Sequence, residues 1–348
     1  MKYYKKSTLF LSKENDNIIC LACQRKCLIK NKASGACGVR INIDGQLYVP
    51  WGYFSSLNID PIEKKPLYHF LPGSKTLSFG MYGCNFFCLY CQNWQISQIK
   101  NNEINLSKNF YKYKDITPVD FHKIMIENDI MIAVSTYNEP TVTIEWAYDI
   151  FSNLKMKNIN FKTGFISNGY LSKEAFDFIL PVLDFIKIDI KVFNYHKFNK
   201  LTGANFDLFL DSVKYITSKY IHVEFVNLIV EEFNDDEKDF NLMVDFILSI
   251  SNEIPLHLTA FHPDYNMLDK KNTSPLVIEK LIDIARKKGL KYVYGGNYIS
   301  SYSDTLCPSC GKVIIQRGYM SVIKNDVYIN NSKGFCPYCK YEVYGVWC

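Results

Sequence analysis

Between residues 76 and about 298, short apolar runs rich in β-branched and aromatic residues alternate with segments of helical period, such as PVDFHKIMIEN and SPLVIEKLIDIARKKG. The predicted strands are TLSFG from residue 76, MIAVSTY from 131, FKTGFIS from 161, DFIKIDI from 184, IHVEFVNLIV from 221 and LHLTAF from 256, with KYVYG from 291 as a candidate seventh. This alternation indicates βα units around a parallel sheet. It predicts an α/β fold, a full or partial (β/α) barrel, with a doubly wound open sheet as the alternative.

Eleven of the twelve cysteines fall into three sets, and Cys348 stands alone. The sets are Cys20, Cys23, Cys27 and Cys37; Cys84, Cys88 and Cys91; and Cys307, Cys310, Cys336 and Cys339. We therefore predict three parts: residues 1–70 as a four-cysteine module with a lead-in, 71–300 as the barrel core, and 301–348 as a second cysteine-rich module.

Charge and composition favour a soluble cytoplasmic protein. The N-terminus is basic but lacks the apolar run of a signal peptide, and no later segment reaches about 18 uninterrupted apolar residues, which predicts no membrane span. The net charge of +5 comes from dispersed lysines with only four arginines, a distribution that does not favour nucleic acid as a partner. Cysteines in a reducing compartment indicate metal ligation rather than disulfides.

The three cysteines of GCNFFCLYC follow the first predicted strand, in a loop at the carboxyl end of the sheet, where ligands bind in such folds. Four thiolates close the coordination sphere of a structural metal, whereas three leave one position open. Cys84, Cys88 and Cys91 can thus hold three corners of a 4Fe-4S cube, and its fourth iron can chelate the amino and carboxylate groups of a small molecule. Zinc is the alternative.

The two sets of four have different spacings. The last set reads CxxC, 25 intervening residues and CxxC, which is typical of a zinc ribbon, with an iron electron-transfer centre as the main competitor. The first set reads CxxCxxxC with a fourth cysteine after nine residues, so zinc and iron–sulfur both stay open.

Later strand ends carry further candidates. Lys187, Asp189 and Lys191 alternate with apolar residues on the fourth strand, and charges on a central strand must pair or line a site. Asp189 and Lys191, nearest the strand end, are predicted to be catalytic, with a buried structural ion pair as the alternative. His262 and Asp264 follow the sixth strand and are predicted to face substrate, with a structural role for the histidine as the alternative.

Several motifs together resemble one known family: the N-terminal CxxCxxxC with GACGVR, IDPIEKKPLYHFLPGS, GCNFFCLYCQNWQIS, YNEPT, TAFHPDY and the closing CPSCG, CPYC and GVW. CxxxCxxC after the first strand resembles the radical S-adenosylmethionine (SAM) superfamily. Within it, the chain is similar to the AmmeMemoRadiSam-system radical enzymes, which are themselves similar to pyruvate formate-lyase activating enzymes. The resemblance implies a 4Fe-4S cluster whose reduced form cleaves SAM to a 5′-deoxyadenosyl radical that abstracts hydrogen from a substrate.

The resemblance also implies roles for individual residues. Tyr90 matches an aromatic near the adenine of SAM, with an ordinary half-buried tyrosine as the alternative. Asn138 and Glu139 stand where the superfamily places a Gly-Gly-Glu segment that contacts the methionine ammonium; the glycines are absent, but the carboxylate is kept. Ser167 and Asn168, at the end of the third strand, are short polar groups that can reach the ribose or carboxylate, with a plain turn as the alternative.

The resemblance implies an enzyme with an unidentified substrate, a reductant such as flavodoxin or ferredoxin, and a functional link to Memo-like and AMMECR-like proteins. Alternative activities are activation of a glycyl-radical enzyme and radical modification of RNA or protein. The non-enzymatic alternative is a metal-stabilised scaffold or electron carrier in which all three cysteine sets are closed.

Overall fold

The computed structural model describes residues 2–99 and 113–348. The chain divides into two compact units. The first comprises Met1–Ile59, Thr76–Phe185 and Asn199–Lys219, and the second comprises Asp60–Lys75, Ile186–Phe198 and Tyr220–Cys348.

The strands range from two residues, as in β4, to eight residues in β14. In chain order they are β1 Tyr4–Lys6, β2 Phe10–Ser12, β3 Ile18–Cys20, β4 Leu28–Ile29, β5 Ile41–Ile43, β6 Gln46–Pro50, β7 Tyr53–Phe54, β8 Ser56–Pro61, β9 Lys75–Gly80, β10 Tyr113–Lys114, β11 Ile132–Ser135, β12 Lys162–Ser167, β13 Phe185–Asp189, β14 His222–Ile229, β15 Leu256–Ala260, β16 Val293–Gly296, β17 Thr305–Leu306, β18 Val313–Gly318, β19 Ser321–Asn325, β20 Tyr328–Asn330, β21 Lys333–Phe335 and β22 Glu342–Val343.

The helices lie mainly between the strands of the parallel sheet. They are α1 Trp94–Ser97, α2 Pro118–Glu127, α3 Ile144–Lys157, α4 Lys173–Ile179, α5 Tyr195–Thr202, α6 Phe206–Thr217, α7 Glu237–Ile250 and α8 Pro275–Lys288. Short 3-10 helices span Ile62–Lys64, Pro140–Thr143, Leu180–Val182 and Ser301–Ser303.

In the first unit, β11 pairs in parallel with β9 on one side and β12 on the other. All four residues of β11 are buried, as expected for a strand covered on both faces. Helix α2 starts at a capping box in which Thr117 and Asp120 satisfy each other's backbone N–H groups, with Pro118 at the first helical position. These local signals explain why the helix begins where its sequence predicts.

The N-terminal part of the first unit forms small antiparallel sheets, ordered β1-β6-β5 and β2-β3-β4. Cys20 lies at the end of β3, and its backbone N–H donates to the carbonyl of Cys27. Cys20 and Cys27 pack with Ile18, Leu47 and Val49 in one small core.

In the second unit, β15 pairs in parallel with β14 and β16. Helix α8 packs on this part of the sheet and ends at Gly289, whose φ of 114° is the left-handed C-cap conformation that glycine accepts most readily. Two antiparallel sheets follow, ordered β17-β18-β19 and β20-β21-β22. Cys307 and Cys336 are buried in the apolar cluster beneath them.

The predicted α/β fold with a parallel sheet is confirmed. All six predicted strands and the candidate seventh are present, as are the predicted helices. The boundaries near residues 70 and 300 stay a prediction. No helix among the described residues has both the length and the apolar character needed to cross a membrane.

Candidate functional site

The loop that carries the three cysteines follows β9 in the first unit. It begins at Gly83, which has a φ of 93°, and a Cβ there would lie 2.7 Å from the carbonyl oxygen of Cys37. The Gly83 N–H donates to the carbonyl of Ile96 in α1, which closes the loop on itself. The N–H of Phe87 donates to the carbonyl of Thr202, so the middle of the loop is also fixed.

Glu139 is the polar centre next to this loop. It is 3% exposed, and its Oε1 accepts hydrogen bonds from the backbone N–H and the hydroxyl of Thr141 and from the hydroxyl of Ser167. Its Oε2 accepts from the backbone N–H of Asn168 at 2.7 Å. A carboxylate offers about four lone-pair sites, so Oε2 retains one acceptor position. Burial raises the pKa of Glu139, although the hydrogen bonds that it accepts oppose this shift.

Asn138 connects the end of β9 to the cysteine loop. Its Oδ1 accepts from the backbone N–H of Met81, and its Nδ2 donates to the carbonyl of Gly83. The preceding residue, Tyr137, has a φ of 70°, so the chain adopts a left-handed conformation there without glycine. The side chain of Asn138 thus positions the loop, and its predicted contact with a cofactor stays a prediction.

Ser167 and Asn168 lie at the end of β12, and both are buried against Glu139. Their side chains also accept hydrogen bonds from the backbone two residues on, the local turn proposed as the alternative. Asn168 Nδ2 donates to Asn85 Oδ1 at 2.7 Å. The two predicted strand ends and the cysteine loop therefore meet in one place.

Asn85 is a site residue that the motif analysis did not single out. Besides accepting from Asn168, it accepts from Arg25 Nε through its backbone carbonyl at 2.6 Å. Its Nδ2 is buried without a hydrogen-bond partner among the described residues. The signal in the sequence was its place directly after Cys84, but its partners lie 60 and 83 residues away.

The donor set fits an iron–sulfur cluster. Burial and the nearby Glu139 carboxylate raise the pKa of the Cys84 thiol well above its ordinary value, so its thiolate needs a compensating cation. Among the described residues, the Sγ atoms of Cys84, Cys88 and Cys91 do not all lie within 4.8 Å of one another. Tyr90, one residue before Cys91, is 3% exposed.

The first cysteine set lines one cavity of the first unit together with Arg25, Arg40 and Asn85. Burial raises the pKa of Cys37 to about 11 and that of Cys23 further. No three of these four sulfurs lie within 4.8 Å of one another in the part of the chain that is described. Their predicted metal stays a prediction.

Arg40 is buried beside this set. Its Nε donates to Cys20 Sγ at 3.3 Å, and both of its Nη atoms donate to Glu145 at 2.7 Å. The hydroxyl of Ser7 donates to the same carboxylate. Glu145 belongs to α3, so a charge-assisted fork connects the cysteine segment to a helix of the α/β part.

The four sulfurs of the last cysteine set all lie within 4.8 Å of one another. The Sγ atoms of Cys307 and Cys339 are 3.5 Å apart, and those of Cys310 and Cys336 are 3.7 Å apart. Four sulfurs at the usual zinc–sulfur bond length lie about 3.8 Å from one another. A backbone N–H from Tyr341 lowers the pKa of Cys339 to about 6, which favours the thiolate that metal binding needs. This set can hold a metal ion.

Asp189 and Lys191 lie at the end of β13 in the second unit. Asp189 contacts Lys187 Nζ at 2.6 Å and Lys191 Nζ at 3.0 Å. Burial alone would raise the pKa of Asp189, but the two lysines lower it to about 2. The structural ion pair considered as the alternative is present, and the catalytic role stays a prediction. His262 is exposed after β15, and its role also stays a prediction.

Glu224 is a fully buried acid of the second unit that the motif analysis missed. It accepts backbone N–H groups of Tyr68 and His69, and its two oxygens lie 3.0 Å from His222 Nε2 and 2.6 Å from His257 Nε2. Burial would raise its pKa, but the histidine hydrogen bonds lower it far below the ordinary range. The stretch IHVEFV gives only a weak signal for a buried acid. Its polar residues alternate with apolar ones, a pattern that is equally typical of a strand whose polar face is exposed to solvent.

The Radical SAM superfamily model matches residues 79–247. The chain is 39% identical over 316 residues to the protein MJ0808 of Methanocaldococcus jannaschii, which is described as uncharacterized; this match covers 90% of the chain and 91% of the relative.

Two further relatives match over part of the chain. The 4-hydroxyphenylacetate decarboxylase activating enzyme of Clostridioides difficile strain 630 is 24% identical over 170 residues, 45% of this chain and 53% of that enzyme. The pyruvate formate-lyase 1-activating enzyme of Escherichia coli strain K12 is 23% identical over 199 residues, 55% of this chain and 75% of that enzyme. With the three-cysteine loop and the parallel α/β fold, these matches show that the chain belongs to the radical SAM superfamily.

Proposed function

We propose that this protein is an enzyme that binds a 4Fe-4S cluster and SAM, cleaves SAM reductively and abstracts hydrogen from a substrate. The observation that carries the proposal is the meeting of a three-thiol loop with a buried carboxylate, Glu139, that keeps one acceptor position. Three thiolates without a fourth ligand in the loop leave one coordination position for the small molecule.

The roles of the residues follow from their contacts. Cys84, Cys88 and Cys91 would hold three irons of the cluster. The open acceptor position of Glu139 Oε2 would receive the ammonium of SAM, and Ser167 and Asn168 fix that carboxylate through hydrogen bonds. When bound, the cluster supplies the electron that breaks the carbon–sulfur bond of SAM and so generates the 5′-deoxyadenosyl radical. The chain itself orients the cofactor and excludes water.

The test is reductive cleavage of SAM. Protein reconstituted anaerobically with iron and sulfide receives SAM and dithionite, and 5′-deoxyadenosine is quantified. The comparison is a variant with Cys84, Cys88 and Cys91 changed to alanine, and the matched control is Cys348→Ala, at an exposed thiol outside the three sets. We expect product from the wild type and from the control only. No product, together with an electron paramagnetic resonance spectrum of the reduced cluster that SAM leaves unchanged, would refute the proposal.

A second candidate activity is activation of a glycyl-radical enzyme. It is supported by the two activating enzymes among the relatives, at 24% and 23% identity. In that case the substrate is a glycine in a partner protein, and about one 5′-deoxyadenosine forms per partner activated. Repeated turnover with a small molecule would exclude this activity.

We also propose that the last cysteine set binds zinc and the first binds zinc or an iron–sulfur cluster. The sulfur separations of 3.5 and 3.7 Å support a single ion in the last set. Metal analysis of variants in which each set is changed to serine, compared with the wild type, identifies the ion that each set holds.

Asp189, Lys191 and His262 are proposed to act on the substrate.

The finer assignment to the AmmeMemoRadiSam-system enzymes is likewise a proposal, supported by the motifs outside the cysteine loop. With it come a cytoplasmic location, a flavodoxin or ferredoxin as reductant, and a link to Memo-like and AMMECR-like proteins. Co-purification of tagged protein with these candidates under anaerobic conditions tests the link.

A further inference from the structure

Arg25 holds the part of the three-thiol loop that separates its first two cysteines. Its Nε donates to the backbone carbonyl of Asn85 at 2.6 Å, and its guanidinium carbon lies 5.0 Å from the centroid of the Phe87 ring. Asn85 directly follows Cys84, and Phe87 directly precedes Cys88. Both contacts therefore fall within the interval that determines how far apart the first two proposed cluster ligands lie.

The carbonyl of Thr202 fixes the same interval. It accepts the backbone N–H of Phe87 at 2.9 Å and Nη2 of Arg25 at 3.4 Å. A Cβ at the next residue, Gly203, would lie 2.9 Å from the Phe87 ring, so this ring is closely packed. A planar guanidinium can donate to two carbonyls and cover an aromatic face at once, which the ammonium of a lysine cannot do. The contacts of Arg25 thus depend on the shape of its head group as well as on its charge.

The first cysteine set fixes the backbone that carries Arg25. Cys23 precedes Arg25 by two residues, and Cys27 follows it by two. The turn between them is closed by the N–H of Lys26, which donates to the carbonyl of Cys23 at 3.0 Å. Burial raises the pKa of Cys23, and the backbone N–H of Arg25 opposes this rise by hydrogen bonding to the sulfur. An ion that bound both sulfurs would hold the chain on either side of Arg25 and remove the conformational freedom of that turn.

A second residue of the first set meets the start of the same loop. Gly83 directly precedes Cys84, and a Cβ on Gly83 would lie 2.7 Å from the carbonyl oxygen of Cys37. Cys37 thus packs against the residue before Cys84, while Arg25 holds Asn85, the residue after it. Two contacts from one cysteine segment therefore converge on the first thiol of the loop.

Asn85 also connects this arrangement to the carboxylate that is proposed to receive SAM. Arg25 holds its backbone carbonyl, and its Oδ1 accepts from Asn168 Nδ2 at 2.7 Å. The backbone N–H of Asn168 in turn donates to Glu139 Oε2 at 2.7 Å. Loss of the Arg25 contact would therefore free a residue that belongs to the loop and also touches the candidate SAM site.

We propose that metal bound by the first cysteine set stabilises the cluster of the three-thiol loop, and that Arg25 is the positioning residue that connects the two. The inference rests on the proposed 4Fe-4S cluster of that loop. The metal holds Cys23 and Cys27, these cysteines hold the backbone of Arg25, and its guanidinium holds the loop. When the first set is empty, the loop loosens and its cluster is lost sooner.

The test follows the release of iron to a chelator from the anaerobically reconstituted full chain. The phase of interest is the one that is absent when Cys84, Cys88 and Cys91 are all changed to alanine, because that phase reports the three-thiol loop. Arg25→Met keeps the length of the side chain but removes its charge and its donors. Loss of a hydrogen bond to a charged group raises local opening by roughly tenfold or more, so we expect this variant to release loop iron at least about tenfold faster than the wild type. An unchanged rate in a folded Arg25→Met protein would overturn the proposal.

Two matched variants separate shape from charge. Arg25→Lys keeps the charge but lacks the planar fork, so it should still release loop iron several-fold faster than the wild type. Lys26→Gln removes a charge from the same turn, where Lys26 Nζ lies 3.3 Å from the exposed carboxylate of Glu174, and it should keep the wild-type rate. A wild-type rate in Arg25→Lys, or a rate in Lys26→Gln as fast as in Arg25→Met, would overturn Arg25 as the positioning residue.

Cys27→Ser tests whether the first set acts through Arg25. Metal analysis should show that this variant loses the ion of the first set, and it should release loop iron about as fast as Arg25→Met does. In the double variant, the acceleration should fall well short of the product of the two single effects, because both changes disconnect the same contact. An arginine that only packs would give independent effects. Effects that multiply, or a Cys27→Ser protein that loses its own metal and keeps the wild-type rate, would overturn the proposal.

Failure of the proposed function is measured separately. A wild-type loop that holds iron, but whose electron paramagnetic resonance spectrum does not change with SAM, would refute the proposed function, while the release rates would still test Arg25. A wild-type protein with no iron in the loop would overturn both proposals. One with a loaded loop but no metal in the first set would overturn this inference alone.

Discussion

Replacing Glu139 by glutamine tests the candidate SAM site at its most connected residue. The change keeps the size of the side chain but removes its charge and one acceptor. Oε1 must remain an oxygen, because three donors from Thr141 and Ser167 converge on it. The new NH₂ group therefore replaces Oε2, where it faces the backbone N–H of Asn168.

The magnitude follows from the two interactions that are lost. The buried N–H of Asn168 loses its acceptor, which costs about 1–3 kcal/mol of folding stability. The ammonium of SAM loses a charged acceptor, and a hydrogen bond to a charged group is worth about 1.5–3 kcal/mol. SAM binding should therefore weaken by roughly tenfold to 150-fold.

The assay is calorimetric titration of SAM into cluster-loaded, unreduced protein, so that binding is measured apart from cleavage. The matched control is Glu127→Gln, an exposed change on α2 that should leave the affinity unchanged. Urea unfolding of the same variants measures the loss of folding stability separately from the loss of SAM affinity. The Glu127→Gln control should keep the wild-type unfolding midpoint. A Glu139→Gln protein that loads its cluster and binds SAM as tightly as the wild type would refute this account of Glu139.

Three further changes test other parts of the chain. Glu224→Gln leaves one of two buried backbone N–H groups without an acceptor, so the free energy of unfolding measured in urea should fall by about 3 kcal/mol. Folding lowers the pKa of Glu224, so the stability difference between wild type and variant should persist above about pH 4.5 and shrink below it. Gly83→Ala should reduce iron and sulfide content, whereas Gly52→Ala, with a φ of 76° but nothing within 4 Å of its Cβ, should not. Cys310→Ser should lose a bound metal ion and lower the melting temperature, and Cys348→Ser should change neither.

The parts predicted well are those that depend on local pattern. Strands and helices follow from apolar period and caps, and the grouping of Cys307, Cys310, Cys336 and Cys339 follows from their spacing. The meeting of Glu139 with Ser167 and Asn168 was also predictable in outline, because neighbouring parallel strands end at the same edge of a sheet.

The parts that were missed depend on partners far apart in sequence. Asn85 acquires its role from Arg25 and Asn168, 60 and 83 residues away. Glu224 is a structural centre only because the N–H of Tyr68, 156 residues away, points at it. Nothing in the local sequence distinguishes such a glutamate from an exposed one, so its burial and its pKa emerge only with the tertiary structure.

The last cysteine set and the three-thiol loop also differ in whether local or distant contacts hold them. This difference predicts which of the two loses its metal first when the protein is destabilised. The last set is closed by local turns, in which Cys307 and Cys336 each donate a backbone N–H to a carbonyl five residues on. Its four sulfurs already lie within 4.8 Å of one another. The three-thiol loop is instead held by Phe87 on Thr202 and by Arg25 on Asn85. Mild destabilisation of the first unit should therefore empty the three-thiol loop, while the last set keeps the local turns that shape it.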